Sequence, residues 1–153
     1  MNILEFLRAI EGQAQLWTHD GQFLGLLSSN RYDSNSICNP NGTYGSSYSV
    51  TSIRNPNGLY GSAWGIYSPY NPNSLHPPAI VYQGRVVGFV TRNRYLCTNG
   101  VPIIDPDLLF AAYSSNTHAA PNPISAYTQM YCDNLNFLTS LSLGLPMDNR
   151  NLQ

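Results

Sequence analysis

The chain has 153 residues and a formal net charge of −1, and only 10 % of its residues are charged. Typical globular domains carry about 25 % charged residues, and here Asn, Ser, Tyr, Gly and Pro take their place. The seven positive charges are all arginines and form no basic stripe beyond Arg85, Arg92 and Arg94. The surface that holds a phosphate backbone is therefore missing, and nucleic acid is not an expected partner. The length predicts a single domain over 1–153.

The first predicted element is an amphipathic helix over 1–12. Its apolar residues recur on one side of the helical period, and Gly12 is placed to end it. Charged residues interrupt the stretch that a signal peptide would need, so we expect this helix to stay on the mature protein. No run of about 18 apolar residues follows, and no membrane span is predicted.

A β-hairpin is predicted over 14–32. Asp20 and Gly21 supply the pair of positive φ angles that a two-residue hairpin turn prefers. A second hairpin is predicted over 79–95, because this segment aligns with the first once one turn residue is deleted.

The alignment of the two hairpins places Gly84 on Gly21 and Gly88 on Gly25. The tails over 28–32 and 91–95 then coincide as well, so the chain contains a long, weak duplication. A lone hairpin is marginal in water. We therefore expect the two hairpins to form one small sheet.

A sixteen-residue repeat occupies the insert over 33–78, where residues 36–46 return as 52–62 and begin again at Ser68. Its Asn-Pro-Asn-Gly run is typical of a tight turn, since Pro sets φ for one central position and Gly supplies a positive φ after it. The insert has too few aliphatic residues for a core of its own, so it must lie on the sheet or on a partner.

A helical C-terminal part is predicted over 105–145. Asp105 suits the N-cap and Pro106 the first position of a short helix, and apolar residues at helical spacing predict a longer helix over 124–143. The fold class is therefore α+β or mainly β: two duplicated β-hairpins in a small sheet, a turn-rich repeat insert, and flanking helices.

Cysteine and histidine could combine as a thiol nucleophile and its base, but no spacing brings a pair together. These residues are Cys38, Cys97, Cys132, His19, His76 and His118. A thiol-dependent hydrolase is consequently the third interpretation of the function, and we expect no enzyme. The odd number of cysteines leaves a free thiol, which favours a reducing, cytoplasmic location.

Asp33 and Asn35 are weak candidate ligands for a hard cation, because oxygen atoms are what calcium accepts. The insert has no other carboxylate, and side chains of this type more often cap turns. A calcium- or other cation-binding module is the second interpretation, and no cofactor is expected.

Three arginines lie at matching strand exits and could form a small anion-binding corner, namely Arg31, Arg92 and Arg94. Pairing with nearby carboxylates is the favoured alternative. Asp105 and Asp107 could act as an acid/base pair, but they flank a proline where a helix begins, and capping is the favoured role.

The leading interpretation is a non-enzymatic structural or interaction module whose repeat surface meets a protein partner or a further copy in a homo-oligomer. Tyr, Ser, Gly and Asn make up adaptable recognition surfaces. Aromatic residues arrive at fixed offsets after each turn and predict ladders on this surface. The candidate binding residues are Tyr44, Tyr48, Tyr60, Trp64, Tyr67 and Tyr70.

The repeat resembles that of an uncharacterised bacterial family, frequent in cyanobacteria. Its members carry Ser-Ile-x-Asn-x-x-Gly-x-Tyr-Gly-Ser repeats, followed by Pro-Pro and a Gly-containing strand pair, as in residues 36–62 and at Pro77 and Pro78 here. The resemblance covers about residues 20 to 110 and implies no activity, catalytic residue or cofactor. Many similar proteins are exported, whereas this chain shows no signal sequence.

Overall fold

A five-stranded sheet lies at the centre of the structure, a computed structural model that describes residues 1–114. The elements in chain order are α1 (Ile3–Ala9), β1 (Gln15–Trp17), β2 (Phe23–Leu26), β3 (Ala79–Tyr82), β4 (Arg85–Val90), β5 (Ile103–Ile104) and α2 (Pro106–Ser114). The predicted helix over 124–143, His118 and Cys132 lie outside the described residues. No helix of the described part is long and apolar enough to cross a membrane.

The strand order is β2-β1-β3-β4-β5, so the two hairpins join through β1 and β3. Leu16 and Ile80 pair directly at this junction, and both side chains are fully buried. The prediction of an α+β fold with two hairpins in one sheet and flanking helices is confirmed. The short strand β5, which runs parallel to β4, was not predicted.

The two hairpins share their register as well as their sequence pattern. Leu16 pairs with Gly25 and Ile80 with Gly88, and the ladder is irregular at the next residue in both. Each second strand then receives a returning segment in parallel, at Ser36 beside β2 and at β5 beside β4. The duplication therefore covers a hairpin and the segment that returns to it.

The first hairpin turn differs from the prediction. Gly21 has a φ of +94°, but Asp20 is not among the described residues with positive φ. The last ladder pair is Trp17 with Phe23, and Thr18 N bonds to Gln22 O at 2.9 Å, so the loop is longer than two residues. The Asp20-Gly21 turn prediction is wrong because the irregular register shifts the strand ends.

The second hairpin has the two-residue turn instead. Tyr82 pairs with Arg85, and Gln83 and Gly84 have φ angles of +53° and +78°. Positive φ at both central residues is the pattern that matches the twist of the flanking strands.

Helices α1 and α2 pack on each other, share one core with the sheet, and are fixed at their starts by capping. Glu5 N bonds to Asn2 Oδ1 at 2.9 Å while Asn2 N bonds to Glu5 Oε2 at 3.1 Å, a reciprocal capping box. Asp105 Oδ1 accepts the backbone N–H of Asp107 at 2.8 Å, so the predicted N-cap is confirmed. The hydroxyl of Tyr113 joins the helices by donating to Leu7 O at 2.7 Å.

The insert and the turn that leads into it form a series of consecutive tight turns, which we call the coil, over 30–74. Backbone N–H groups bond to carbonyl oxygens three residues earlier in a long series, for example Asn39 to Ser36 at 3.3 Å and Asn55 to Ser52 at 3.2 Å. Ile37 and Ile53 are fully buried and belong to the same core as the sheet and helices. The coil lies on the sheet, as the shortage of aliphatic residues predicts.

Candidate functional site

Residues eight apart lie beside one another on successive turns of the coil. Side-chain hydroxyls bridge this interval three times: Ser36 Oγ donates to Ser28 O at 2.7 Å, Thr51 Oγ1 to Thr43 O at 3.2 Å, and Ser74 Oγ to Ile66 O at 2.6 Å. The sixteen-residue repeat of the sequence therefore corresponds to two turns of the coil.

Three asparagines spaced by sixteen residues make the same pair of bonds. The side-chain amides of Asn39, Asn55 and Asn71 each donate at 3.0 Å to the carbonyl six residues earlier. Their Oδ1 atoms accept the backbone N–H two residues later at 2.9–3.0 Å. These asparagines hold successive turns together, so they are structural and not free for a ligand.

The buried edge of the coil carries serines at the same interval. Ser36, Ser52 and Ser68 have no exposed surface, and the hydroxyl of each accepts the backbone N–H two residues later at 2.9–3.0 Å. Their polar groups are satisfied inside the molecule, as burial requires. This edge anchors the coil against the sheet.

The opposite edge of the coil lies four residues, half a turn, from these serines. Tyr32, Tyr48 and Trp64 occur there at sixteen-residue intervals, and 93 %, 91 % and 80 % of their surface is exposed. Exposed prolines occupy the turns between and after them, at Pro40, Pro56 and Pro72. We call these six residues the aromatic stripe.

The structure divides the six predicted binding residues between two faces. Tyr48 and Trp64 are in the aromatic stripe, whereas Tyr44 packs edge-on against Phe23 with 4.9 Å between ring centroids. The remaining three also make internal contacts: Tyr60 stacks on Tyr67 at 6.2 Å, and Tyr70 lies beneath the guanidinium of Arg92 at 4.9 Å.

Tyr32 belongs to the stripe although the sequence analysis did not select it. It precedes Tyr48 by the same sixteen residues that separate Tyr48 from Trp64. The signal was therefore the repeat interval, extended one step before the recognisable Asn-Pro-Asn-Gly motif. Tyr32 and Pro40 line the same surface depression, which supports their being neighbours on adjacent turns.

The surroundings of the stripe are almost uncharged. Between residues 31 and 76 only Arg31, Asp33 and Arg54 carry a formal charge. Asp33 Oδ1 accepts the backbone N–H of Asn35 at 2.8 Å, so this candidate cation ligand caps a turn. Within residues 1–114 no three His, Cys, Asp or Glu side chains come together as a metal site.

The cysteines and histidines within the described part do not form a nucleophile and base. His19 stacks on His76 with 4.7 Å between ring centroids. Cys38 is partly buried, and this desolvation raises the pKa of its thiol although Arg54 lowers it. A raised pKa is the opposite of what activates a thiolate. Cys97 is exposed.

The arginine predicted at the second strand exit is held by carboxylates. Arg92 Nη2 lies 2.5 Å from Asp107 Oδ2, and Arg92 Nε lies 3.9 Å from Asp105 Oδ2. Arg31 lines the depression beside Tyr32 instead, and Arg94 is exposed. Arg92 therefore pairs with carboxylates, which is the favoured alternative for these arginines.

Beside the coil, a cleft of about 380 Å³ separates the turn at Pro56 from α2. The guanidinium of Arg54 lies 3.9 Å above the ring of Phe110, and Tyr70 and Asp107 complete the lining. Burial, more than the charge of Asp107, raises the pKa of Tyr70 to about 12. The cleft is closed to simple stacking because cations already cover both aromatic rings.

Comparisons with known proteins give no match to this chain among protein-family models, curated proteins or solved structures.

Proposed function

We propose that this protein is a non-enzymatic interaction module that uses the aromatic stripe to hold a protein partner. The observation that carries the proposal is the exposure of Tyr32, Tyr48 and Trp64 on a coil whose other tyrosines are half-buried and contact neighbouring rings or the guanidinium of Arg92. Tyrosine and tryptophan dominate the binding energy of protein interfaces. Leaving three of them in water, at a regular interval, supports a surface kept for recognition.

The surroundings of the stripe support a partner recognised by shape and hydrogen bonds. The coil is nearly uncharged, so long-range electrostatic attraction contributes little to binding. The raised pKa of the Cys38 thiol favours a structural role for this residue over catalysis. Asp33 is engaged in a turn, and no contact of the described residues favours the cation-binding alternative.

Several finer attributes belong to the same proposal. The odd number of cysteines supports a cytoplasmic location. The repeat supports membership of the bacterial family with Ser-Ile-x-Asn-x-x-Gly-x-Tyr-Gly-Ser repeats. A further copy of the chain is the other partner that the stripe could hold, because a regular surface can meet its own equivalent.

The test is affinity purification of the full chain from cells of the organism that encodes it. We expect proteins that co-purify with the native chain to be lost from the variant Y32A/Y48A/W64A. The matched control is Y95A, because Tyr95 is 95 % exposed but lies outside the coil. Like Tyr32, it follows a turn in which an asparagine two residues earlier accepts its backbone N–H. Retention of every partner by the triple variant would contradict the proposal.

A further inference from the structure

The spacing of the aromatic stripe fits one particular backbone conformation of a partner. We propose that the stripe binds a proline-rich segment in the polyproline II conformation. This inference rests on the proposed function and adds the kind of segment that the partner must present.

The first step is the distance between aromatic residues along the stripe. Successive turns of the coil are in backbone contact, since a Cβ atom on Gly61 would lie 2.2 Å from Asn55 O and 2.7 Å from Ile53 O. Backbones whose main-chain atoms touch in this way lie about as far apart as neighbouring strands of a sheet, about 5 Å. Aromatic residues occupy every second turn, so they recur at about 10 Å along the coil.

A polyproline II segment repeats at nearly the same interval as the aromatic residues. Polyproline II has three residues per turn and rises about 3.1 Å per residue, so one turn spans about 9 Å. A segment lying along the stripe would therefore present an equivalent position to Tyr32, Tyr48 and Trp64 in successive turns. The match allows one proline ring to pack on each aromatic side chain, and aromatic side chains are what line known grooves for proline-rich segments.

Side chains of different size alternate along the stripe. Between the aromatic residues lie turns that carry Pro-Asn-Gly, at 40–42 and 56–58. These side chains are smaller than Tyr or Trp, and so are those of Val50 and Leu59, which are also exposed between Tyr48 and Trp64. The aromatic rings are therefore the largest side chains along the exposed edge. Such an alternation suits a rod with a three-fold ridge better than a flat ligand.

The fourth step is hydrogen bonding. Polyproline II makes no internal hydrogen bonds, so its carbonyl oxygens need outside donors. The indole N–H of Trp64 and the hydroxyl groups of Tyr32 and Tyr48 belong to exposed residues of the stripe. Within the described residues, the side-chain amides of Asn41 and Asn57 donate to no protein acceptor. All these donors are neutral, as proline carbonyls are.

The experiment titrates the full chain with acetylated decaproline and follows heat and indole fluorescence. A Gly/Ser decamer is the control peptide. We expect saturable binding of decaproline, no binding of the control, and a loss of about tenfold or more in affinity for W64A and for Y48A. W64F should recover most of the loss, because it restores a flat ring, and Y95A should bind like the native chain.

Three results would overturn the inference. The first is the absence of saturable binding both to decaproline and to an array of Pro-x-x-Pro decamers that varies every residue x. The second is an equal loss in Y95A and W64A. The third is saturable binding of cellohexaose, a flat neutral glycan, with none of the peptides bound. If the peptides fail while stripe-dependent protein capture persists, the proposed function stands without this ligand; if both fail, both are wrong.

Discussion

The two hairpin units of this protein make the same hydrogen bonds but are followed by different structures. In each, a hydroxyl-bearing residue just after the second strand accepts the N–H two residues later, Ser28 Oγ from Asn30 N at 3.0 Å and Thr91 Oγ1 from Asn93 N at 2.9 Å. The next asparagine then accepts from a tyrosine, at Tyr32 and at Tyr95. After the first unit the chain enters the coil, and after the second it enters β5 and α2.

The same hairpin can receive two different returning segments, the coil or β5, because in each unit a glycine makes room for the segment. A Cβ atom on Gly25 would lie 2.7 Å from Ile37 Cγ2, and one on Gly88 would lie 3.0 Å from Ile104 Cδ1. Ile37 and Ile104 are both fully buried. The shared turn then leaves Tyr32 on the coil and Tyr95 away from it, so only surroundings distinguish two nearly identical tyrosines.

The largest effect is expected at these glycines. G25A should lower the free energy of unfolding by about 3 kcal/mol, because its φ of +123° and the contact with Ile37 both oppose a methyl group. G88A should cost about 1 kcal/mol, since Gly88 lacks a positive φ and only the end of a flexible side chain must move. Urea unfolding of both variants measures the difference, and equal losses would break the comparison.

The next effect is expected at the asparagines of the tails. Asn93 is buried and its amide donates to Ser74 O at 2.9 Å, so N93A should cost about 2 kcal/mol by leaving that carbonyl unsatisfied. Asn30 is exposed, and N30A should cost about 0.5 kcal/mol. Thermal unfolding checks both. A larger loss in N30A would show that the first tail, not the second, anchors the coil.

Alkaline pH should weaken the second unit through Tyr70, which faces Arg92. Burial raises the pKa of Tyr70 from 10.0 to about 12, so the folded state keeps a proton that the unfolded state releases. Stability is therefore complete below pH 10 and falls as the pH rises toward 12. Y70F should show a shallower fall in urea midpoint between these pH values, and an unchanged slope would contradict the assignment.

The smallest effect on stability is expected for Tyr32 and Tyr95. Y32A and Y95A should each change the free energy of unfolding by no more than about 0.5 kcal/mol, because both side chains are exposed. Only Y32A should weaken partner binding. Melting temperatures measured beside the binding assay separate the two properties, and a destabilised Y32A would make any binding loss uninformative about recognition.

Elements fixed by local chemistry were predictable. The helix at residues 3–9 follows from its apolar spacing, and the start of α2 from Asp105 and Pro106. Strand β5 escaped prediction because two residues give no periodic signal and their partners, Phe89 and Val90, lie far back in the chain. The prediction of a two-residue turn at Asp20 was wrong because an irregularity in strand pairing lengthened the loop. That irregularity is not visible in the turn residues.

The candidate site shows the same limit. The sequence placed Tyr44 and Tyr48 on one recognition surface because both follow the same turn motif. In the structure they are four residues apart on a coil with eight residues per turn, so one packs on Phe23 and the other lies in the stripe. The length of that turn is set by bonds between residues far apart, such as Ser36 to Ser28.

By itself the sequence determined the positions of the turns, the sixteen-residue interval, the duplicated hairpins and the uncharged surface, since each depends on neighbouring residues or on composition. The positive φ predicted for the glycine of the Asn-Pro-Asn-Gly motif was wrong, because Gly42 and Gly58 are not among the described glycines with positive φ. They make room for a side chain instead, since a Cβ atom there would lie 2.9 Å from the amide nitrogen of Asn39 and 3.1 Å from that of Asn55. Only the tertiary structure decided which aromatic residues are exposed. Burial depends on how many residues complete one turn of the coil and on which edge meets the core, and both follow from contacts between distant residues. The sequence showed the sixteen-residue interval, but it did not show which residues lie on the exposed edge of the coil and which on the buried edge.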